Sequence, residues 1–341
     1  LTQKEEEMPI ILESFAINGI DVSSYQGKMD WTKVKCDFGA IRVGYGNTID
    51  YQFKNNWTNS KGKINRIPYW YMDYYSNWWN KLSPAYGMND VAWGRKQAEN
   101  CWGALKQDPT CAVFLDIENG GSDYSTPLTD PETKKHALAI AKAFLERMDE
   151  LNGLLNGIYT SMGWLSWFTD WFKNRPLWVA WYNETISAET VLYSANTGYK
   201  WRGTVLMWQY ASHGDVNGDG VKDGKAWGAN TAELDLNGWI ASPALYALWF
   251  GLKEGEDDVV VIPEPAKKER LIPVKRVKAN TYLRLRTSPN ARIFTNIIRN
   301  LNPGTEIDCL EKFTEGSNIW WRVGIEKQFV AETYGGTTFL E

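Results

Sequence analysis

Short apolar runs recur along the first 240 positions, each closed by polar or turn-forming residues: 19–22, 40–43, 67–71, 112–116, 157–160, 177–180, 205–209 and 234–236. Runs of this length between turn signals predict buried strands. Helical periodicity separates several of them. It is clearest from 130 to 152, where Asp130 takes the cap position, Pro131 the first helical position and Gly153 the stop. Within it Ala137, Ile140, Ala141, Phe144, Leu145, Met148 and Leu151 follow the three-four spacing of one buried face. Eight strands alternating with helices predict an α/β fold, a parallel TIM-like (β/α) barrel whose catalytic groups lie at the C-terminal strand ends. The last two strand spacings leave little room for helices, so the barrel is expected to be irregular.

The pattern changes after residue 250. Positions 253–270 mix charges with closely spaced prolines, which reads as a semi-rigid linker. Beyond it, short β-like runs at 282–285, 305–310, 319–323 and 328–331 alternate with turn residues and predict a small all-β barrel. The expected organisation is an N-terminal extension over 1–17, the α/β barrel over 18–250, a linker over 251–272 and the small β domain over 273–341.

Composition narrows the chemistry. The 341 residues carry no apolar run of the ~18 residues that a membrane span needs. Residues 1–269 hold 26 Lys and Arg against 34 Asp and Glu, and residues 270–341 hold 11 against 7. An acidic body does not suit a nucleic-acid partner, whereas a mildly basic tail suits an anionic surface. Two histidines and four cysteines without zinc-type spacing argue against metal-hydrolase and Ser-His-Asp chemistry, and Cys36, Cys101, Cys111 and Cys309 read as free thiols. No charged-then-apolar leader is read ahead of the first strand, and a monomer is expected. Of the 19 tryptophans, 17 precede residue 250, in a region that also holds Tyr69-Trp70-Tyr71, Tyr74-Tyr75 and Trp78-Trp79. Most should serve the core, but flat apolar faces rimmed by polar groups also suit sugar rings. Tyr71, Tyr159, Tyr182 and Trp208 are the candidates for sugar contact.

The segment Val113-Phe114-Leu115-Asp116-Ile117-Glu118 is the most informative. An apolar strand ending in two carboxylates two residues apart puts both on one face. Neighbouring carboxylates resist ionising together, so one stays a general acid while the other is an anion, as glycosidic cleavage requires. The plainer alternative is a strand end entering a polar loop. Asp21 and Asp235 lie in similar places, on the first and eighth runs, which are neighbours in a closed barrel. Asp215, Asn217, Asp219, Val221 and Asp223 have the alternating oxygen spacing of a calcium loop, with Gly220 sixth, but the twelfth position is Ala226 instead of a bidentate Glu. A polar turn is the first reading there and a structural calcium the second.

Together, Gly19-Ile20-Asp21-Val22-Ser23-Ser24-Tyr25-Gln26-Gly27 with Asp30-Trp31, Phe38-Gly39-Ala40-Ile41-Arg42, Leu115-Asp116-Ile117-Glu118, Gly157-Ile158-Tyr159-Thr160, Leu177-Trp178-Val179-Ala180 and Met207-Trp208-Gln209-Tyr210 resemble glycoside hydrolase family 25. These are the Chalaropsis-type lysozymes, or muramidases, of bacteria and phages. The resemblance runs in order over about residues 18–250. It implies an irregular β/α barrel, Glu118 as general acid/base, and Asp21, Asp116 and Asp235 completing the site, with no cofactor required. One departure is Tyr69-Trp70-Tyr71, where the family often has aromatic-His-aromatic. The tail, with Leu283-Arg284-Leu285-Arg286, Trp320-Trp321-Arg322-Val323 and Phe329-Val330-Ala331, resembles a bacterial SH3-like domain, which implies targeting to the cell wall. The expected function is peptidoglycan hydrolysis between N-acetylmuramic acid and N-acetylglucosamine. It would act at the bacterial wall, outside the cell or as an endolysin released from a phage host. A barrel without catalysis acting as a lectin, or a hydrolase of another N-acetylhexosamine polymer, are the alternatives.

Overall fold

A computed structural model describes residues 10–74, 87–105, 111–118, 130–183 and 185–252, and in the C-terminal part residues 275–279, 283–286, 297–301, 304–309, 311–315, 317–323, 329–334 and 337–340. Residues 253–272 of the expected linker and the Trp78-Trp79 pair lie outside the described residues. Contacts divide the chain into two units, residues 1–201 with 205–240, and residues 202–204 with 241–341.

In the first unit, all eight apolar runs form strands: β1 (Asn18–Val22), β2 (Phe38–Tyr45), β4 (Asn65–Tyr71), β5 (Phe114–Asp116), β6 (Gly157–Ser161), β7 (Leu177–Ala180), β8 (Val205–Ala211) and β9 (Asp235–Trp239), with the two-residue β3 (Thr48–Ile49) folding back on β2. The order β1-β9-β8-β7-β6-β5-β4-β2 closes through pairing of β1 with β2. Helices α1 (Phe53–Ser60), α2 (Asp90–Leu105), α3 (Pro131–Asn152) and α4 (Ala188–Tyr193) supply crossovers, while short 3-10 turns serve between β1 and β2 and between β6 and β7. α3 starts and stops where its sequence directs. Asp130 accepts the Thr133 N–H at 2.7 Å, and Gly153 takes the left-handed conformation at φ 70°.

The barrel departs from the expected all-parallel order at its last strand. β9 runs antiparallel to both β8 and β1. A parallel neighbour needs a crossover that returns the chain to the opposite end of the barrel, and residues 212–234 contain no helix to make one. The chain therefore re-enters from the end it left, and Asp235 opens β9 instead of closing a strand.

Aromatic rings fill the barrel interior. Trp178 meets Tyr69, Phe114 and Tyr159 with centroids 5.7, 6.0 and 4.4 Å away, and Phe38 meets Trp239 at 6.3 Å. Outside the strands, Trp70, Trp164, Trp208, Phe144 and Leu145 join a core between barrel and helices. Among the described residues twelve tryptophans are buried, so the tryptophan excess is first a packing property. Residues 10–17 belong to this packing too, with Phe15 against Trp208 and Tyr210 and the Ile17 carbonyl accepting the Trp239 N–H.

The second unit contains α5 (Pro243–Phe250), then strands β10 (Lys275–Lys278), β11 (Leu283–Arg286), β12 (Ile297–Leu301), β13 (Glu306–Cys309), β14 (Glu311–Glu315), β15 (Asn318–Arg322), β16 (Phe329–Tyr334) and β17 (Thr337–Thr338). β10 pairs with β13, while β12-β11-β16-β15-β14 form a sheet that β17 extends on β16. Trp320, Trp321, Phe329 and Val330 centre its core. Among the described residues of the tail every regular element after α5 is thus a strand, as the sequence predicts, and Cys36, Cys101, Cys111 and Cys309 are free thiols.

Large rings inside a narrow barrel require glycine opposite them. A Cβ at Gly157 would lie 2.5 Å from the Phe114 ring, and one at Gly19 2.5 Å from Phe38. Gly157→Ala is expected to destabilise the unit by about 1–3 kcal/mol, as overpacking does. Phe114→Leu in the same chain should recover part of the loss, with thermal unfolding as the measurement.

Candidate active site

Strand alternation brings the carboxylates together at one mouth. On β1 the side chain of Asp21 turns inward, and the antiparallel register places Asp235 directly opposite it. On β5, Asp116 is inward and buried, Ile117 turns outward into the outer core, and Glu118, just past the strand, comes within electrostatic reach of Asp116 and Asp21. Asp116 stands in register with Tyr71 of β4 and Tyr159 of β6.

The four acids sit in different polar surroundings. Asp21 Oδ2 accepts Gln209 Nε2 and Asn237 Nδ2, each at 2.8 Å. Both amides are held in that orientation. Tyr159 and Tyr182 donate to Gln209 Oε1 at 2.7 and 2.8 Å, and the Trp178 indole donates to Asn237 Oδ1 at 2.8 Å. Asp116 Oδ1, in contrast, is buried and accepts no hydrogen bond. The Arg42 guanidinium enters the same region from β2, donating to Asp50 and Ser24 at 2.8 Å each.

These surroundings set the proton inventory. Burial raises the Asp21 carboxyl to about 6, opposed by its hydrogen bonds from Asn237 and Gln209. Glu118 is pushed up to about 8, by burial first and the Asp21 charge second, with Arg42 pulling the other way. Asp116 stands well above the carboxylate range through burial and the charge of Glu118, and Asp235 through burial and the charges of Asp21 and Glu118. Near neutral pH, Asp21 carries the negative charge and Glu118 holds its proton. An acid that can donate and an anion that can stabilise positive charge thus share one opening.

Residues 20–219, more than half of the chain, match glycosyl hydrolases family 25. The chain belongs to that family. Among solved structures, a family 25 glycosyl hydrolase from Bacillus anthracis is 17% identical, with 72% of this chain and 99% of that one covered at a TM-score of 0.50. A bacterial lysozyme from Streptomyces coelicolor is 22% identical over 70% of this chain and 98% of that one, at a TM-score of 0.45. A muramidase from Acremonium alcalophilum is 20% identical over 69% and 99%, at 0.46. The first of these likenesses shows a shared barrel fold. No curated protein matches the chain.

In this family 25 hydrolase the four acidic residues expected from the sequence meet at one mouth. Of the aromatic candidates, Tyr71 is half-buried on the inward face, Tyr159 is buried beside Asp116, and Tyr182 is 57% exposed with its hydroxyl on Gln209. Trp208 is not brought there. It is fully buried on the outer face of β8, against Phe15 and Tyr210, and its indole donates to the Trp181 carbonyl at 2.8 Å. Alternation explains the miss, because Gln209 is the inward residue and Trp208 beside it must face out. Gln209, Asn237 and Arg42 were not singled out for a role in the site. A visible signal existed for the two amides, each a polar residue inside an otherwise apolar strand, which a buried strand carries only with a hydrogen-bonding task.

The loop 215–223 lies between β8 and β9. Asp215 accepts the backbone N–H groups of Gly218, Asp219 and Gly220, Asp219 accepts that of Val221, and Asp223 accepts that of Val216. Asn217 accepts the Asp219 N–H and donates to Asp219 Oδ2. Its oxygens therefore fold the loop on itself, and among the described residues no group of three or more His, Cys, Asp or Glu is placed to hold a metal ion.

Because burial raises Glu118, its ionisation costs the folded state more than the unfolded one. That cost is absent below about pH 4.5, grows as pH rises, and is complete above about pH 8. Glu118→Gln should therefore raise Tm relative to the parent at pH 9 and leave it nearly unchanged at pH 4, as calorimetry at the two pH values will show.

Proposed function

We propose that this family 25 hydrolase is an N-acetylmuramidase, cleaving the β-1,4 bond between N-acetylmuramic acid and N-acetylglucosamine in bacterial peptidoglycan. The observation that carries the reading is the gathering of Asp21, Asp235, Asp116 and Glu118 at one barrel mouth, where Asp21 accepts two amide N–H groups and burial pushes Glu118 further up than Asp21, so that one carboxyl keeps its proton more readily than the other. Glycosidic cleavage needs that combination. The sugar class follows from the family resemblance.

Glu118 protonates the oxygen of the leaving sugar as its bond to the anomeric carbon breaks. The 2-acetamido oxygen of the muramic acid closes on that carbon from the other face. Asp116 is assigned to hold the acetamido N–H, for its Oδ1 is buried and without a partner. The N–H and the positive charge that grows on it both favour the ionised form of Asp116, opposing the effect of burial. Water then opens the ring intermediate, giving its proton to Glu118, with net retention and no sugar bonded to the protein. Asp21 and Asp235 orient the pair and tune its charge. The chemistry needs no metal, and loop 215–223 is read as a polar turn whose carboxylates serve its own N–H groups. The tail is assigned as an SH3-like wall-binding domain, its expected range being 273–341, and the place of action as the cell wall. No helix among the described residues is long and apolar enough to cross a membrane.

Digestion of peptidoglycan should release new reducing ends that are N-acetylmuramic acid. Ends that are N-acetylglucosamine would overturn the assignment. Glu118→Gln is expected to lower turnover by roughly 10²–10⁴-fold, the usual worth of a positioned acid. With Asp21 ionising near 6 and Glu118 losing its proton near 8, kcat/KM should rise as pH increases through about 6 and fall through about 8. Removal of everything after residue 252 should reduce lysis of whole cells more than cleavage of soluble fragments, because the tail concentrates the enzyme on an insoluble substrate.

A further inference from the structure

Ten large apolar or aromatic side chains are exposed among the described residues, and four of them lie just after β1 (Tyr25), at the end of β2 (Tyr45), at the end of β3 (Ile49) and just beyond it (Tyr51). Tyr25 is 74% exposed, Tyr45 44% and Tyr51 76%. Single exposed rings need no explanation, but three gathered on one support do. The support is polar and tightly bonded. Arg42 lies 5.3 Å from the Tyr25 ring centroid and 5.7 Å from that of Tyr45. Asp50 accepts from Arg42 Nε at 2.8 Å and from the Ser24 N–H at 2.9 Å, and the Tyr51 hydroxyl donates to the Ser24 carbonyl at 3.1 Å. The rings are thus braced from below while their outer surfaces meet water.

The same group is continuous with the acids. Register carries one row across the mouth, from Tyr45 on β2 to Tyr71 on β4, Asp116 on β5 and Tyr159 on β6. Arg42 turns inward from β2, and its charge is felt by both Asp116 and Glu118. Tyr182, the other exposed tyrosine bonded into the site, follows β7, four strands round the closed barrel from β2. A chain passing over the acids from Tyr182 therefore leaves across Tyr25 and Tyr45.

We propose that Tyr25, Tyr45 and Tyr51, braced by Arg42, Asp50 and Ser24, form a second sugar-binding platform that takes an uncharged N-acetylhexosamine ring of the glycan strand beyond the bond being cut. The ligand class follows from the balance of charge. The 2.8 Å ion pair with Asp50 matches the Arg42 cation, so the platform presents aromatic faces and hydroxyls in place of a net positive charge. That suits the apolar face and polar rim of a pyranose better than the anionic stem peptide. Extra contact away from the reacting bond acts on binding of long strands and leaves the chemical step unchanged.

The proposal deepens the muramidase reading, so its test has one arm that does not need that activity. In the full chain, Tyr25→Ala and Tyr45→Ala should each raise KM for soluble glycan strands of six or more sugars by roughly 3–10-fold, the scale of one aromatic contact. kcat should stay within about twofold and KM for the shortest cleavable strand should not move, while Tyr45→Phe, which keeps the ring and loses the hydroxyl, should raise KM for long strands less than Tyr45→Ala does. Leu154→Ala, which trims an apolar residue exposed just before β6 at the far end of the barrel, is the control. In a second arm, tetra- and hexameric N-acetylglucosamine are titrated calorimetrically into Glu118→Gln with and without Tyr25→Ala/Tyr45→Ala. Weaker binding of the hexamer alone supports the platform even where no muramidase activity is found. Unchanged KM for long strands together with unchanged hexamer binding overturns it, as does a drop in kcat that is equal for long and short strands.

Discussion

The site depends on the cost of placing negative charge inside a closed barrel. Four carboxyl groups share one mouth, and burial opposes ionisation of each. Asp21 is the one whose charge is met by two amide N–H groups, and those amides cannot turn over because tyrosine hydroxyls and an indole N–H occupy their oxygens. A buried charge satisfied in this way adds to the effect of burial on Glu118, which is raised by burial first and by the Asp21 charge second. The proton affinity of Glu118 is thus tuned in part by a charge whose hydrogen bonds it does not itself make.

The same hydrogen bonds tie the chemistry to the packing. Trp178 donates to Asn237 and also meets Tyr69, Phe114 and Tyr159 in the barrel interior. Those rings fit because glycines stand opposite Phe38 and Phe114. Tryptophan and tyrosine divide the aromatic work accordingly. Tryptophans mostly fill the cores, where area counts, whereas Tyr51 and Tyr182 keep exposed rings with their hydroxyls bonded to Ser24 and Gln209.

The reversed last strand also serves the site. Running antiparallel, β9 offers its first residue, Asp235, at the mouth where the parallel strands offer their last. Both ways of arriving bring a carboxylate to the same opening, and the antiparallel pairing sets Asp21 and Asp235 directly opposite each other. After burial, the Asp21 charge is the next cause that raises the Asp235 carboxyl, so the direction of one strand contributes to the proton inventory.

Much of this was legible along the chain. Period-two alternation placed Asp116 and Glu118 on one face, because β geometry is local, and the Asp130, Pro131 and Gly153 signals bounded α3 for the same reason. The eight apolar runs located the strands to within a few residues. Strand direction was not legible for β9, since an apolar run reads alike in both directions and only the missing crossover decides. Nor did sequence show that Trp208 faces outward while Gln209 faces in, because inside and outside are both apolar for a strand buried on two sides. The amide cradle of Asp21 joins residues 188 and 216 positions apart. Contacts of that span exist only once the barrel has closed, so the sequence alone marked four carboxyls near strand ends, and tertiary structure decided that they share one mouth and that Asp21 is the one met by two amides.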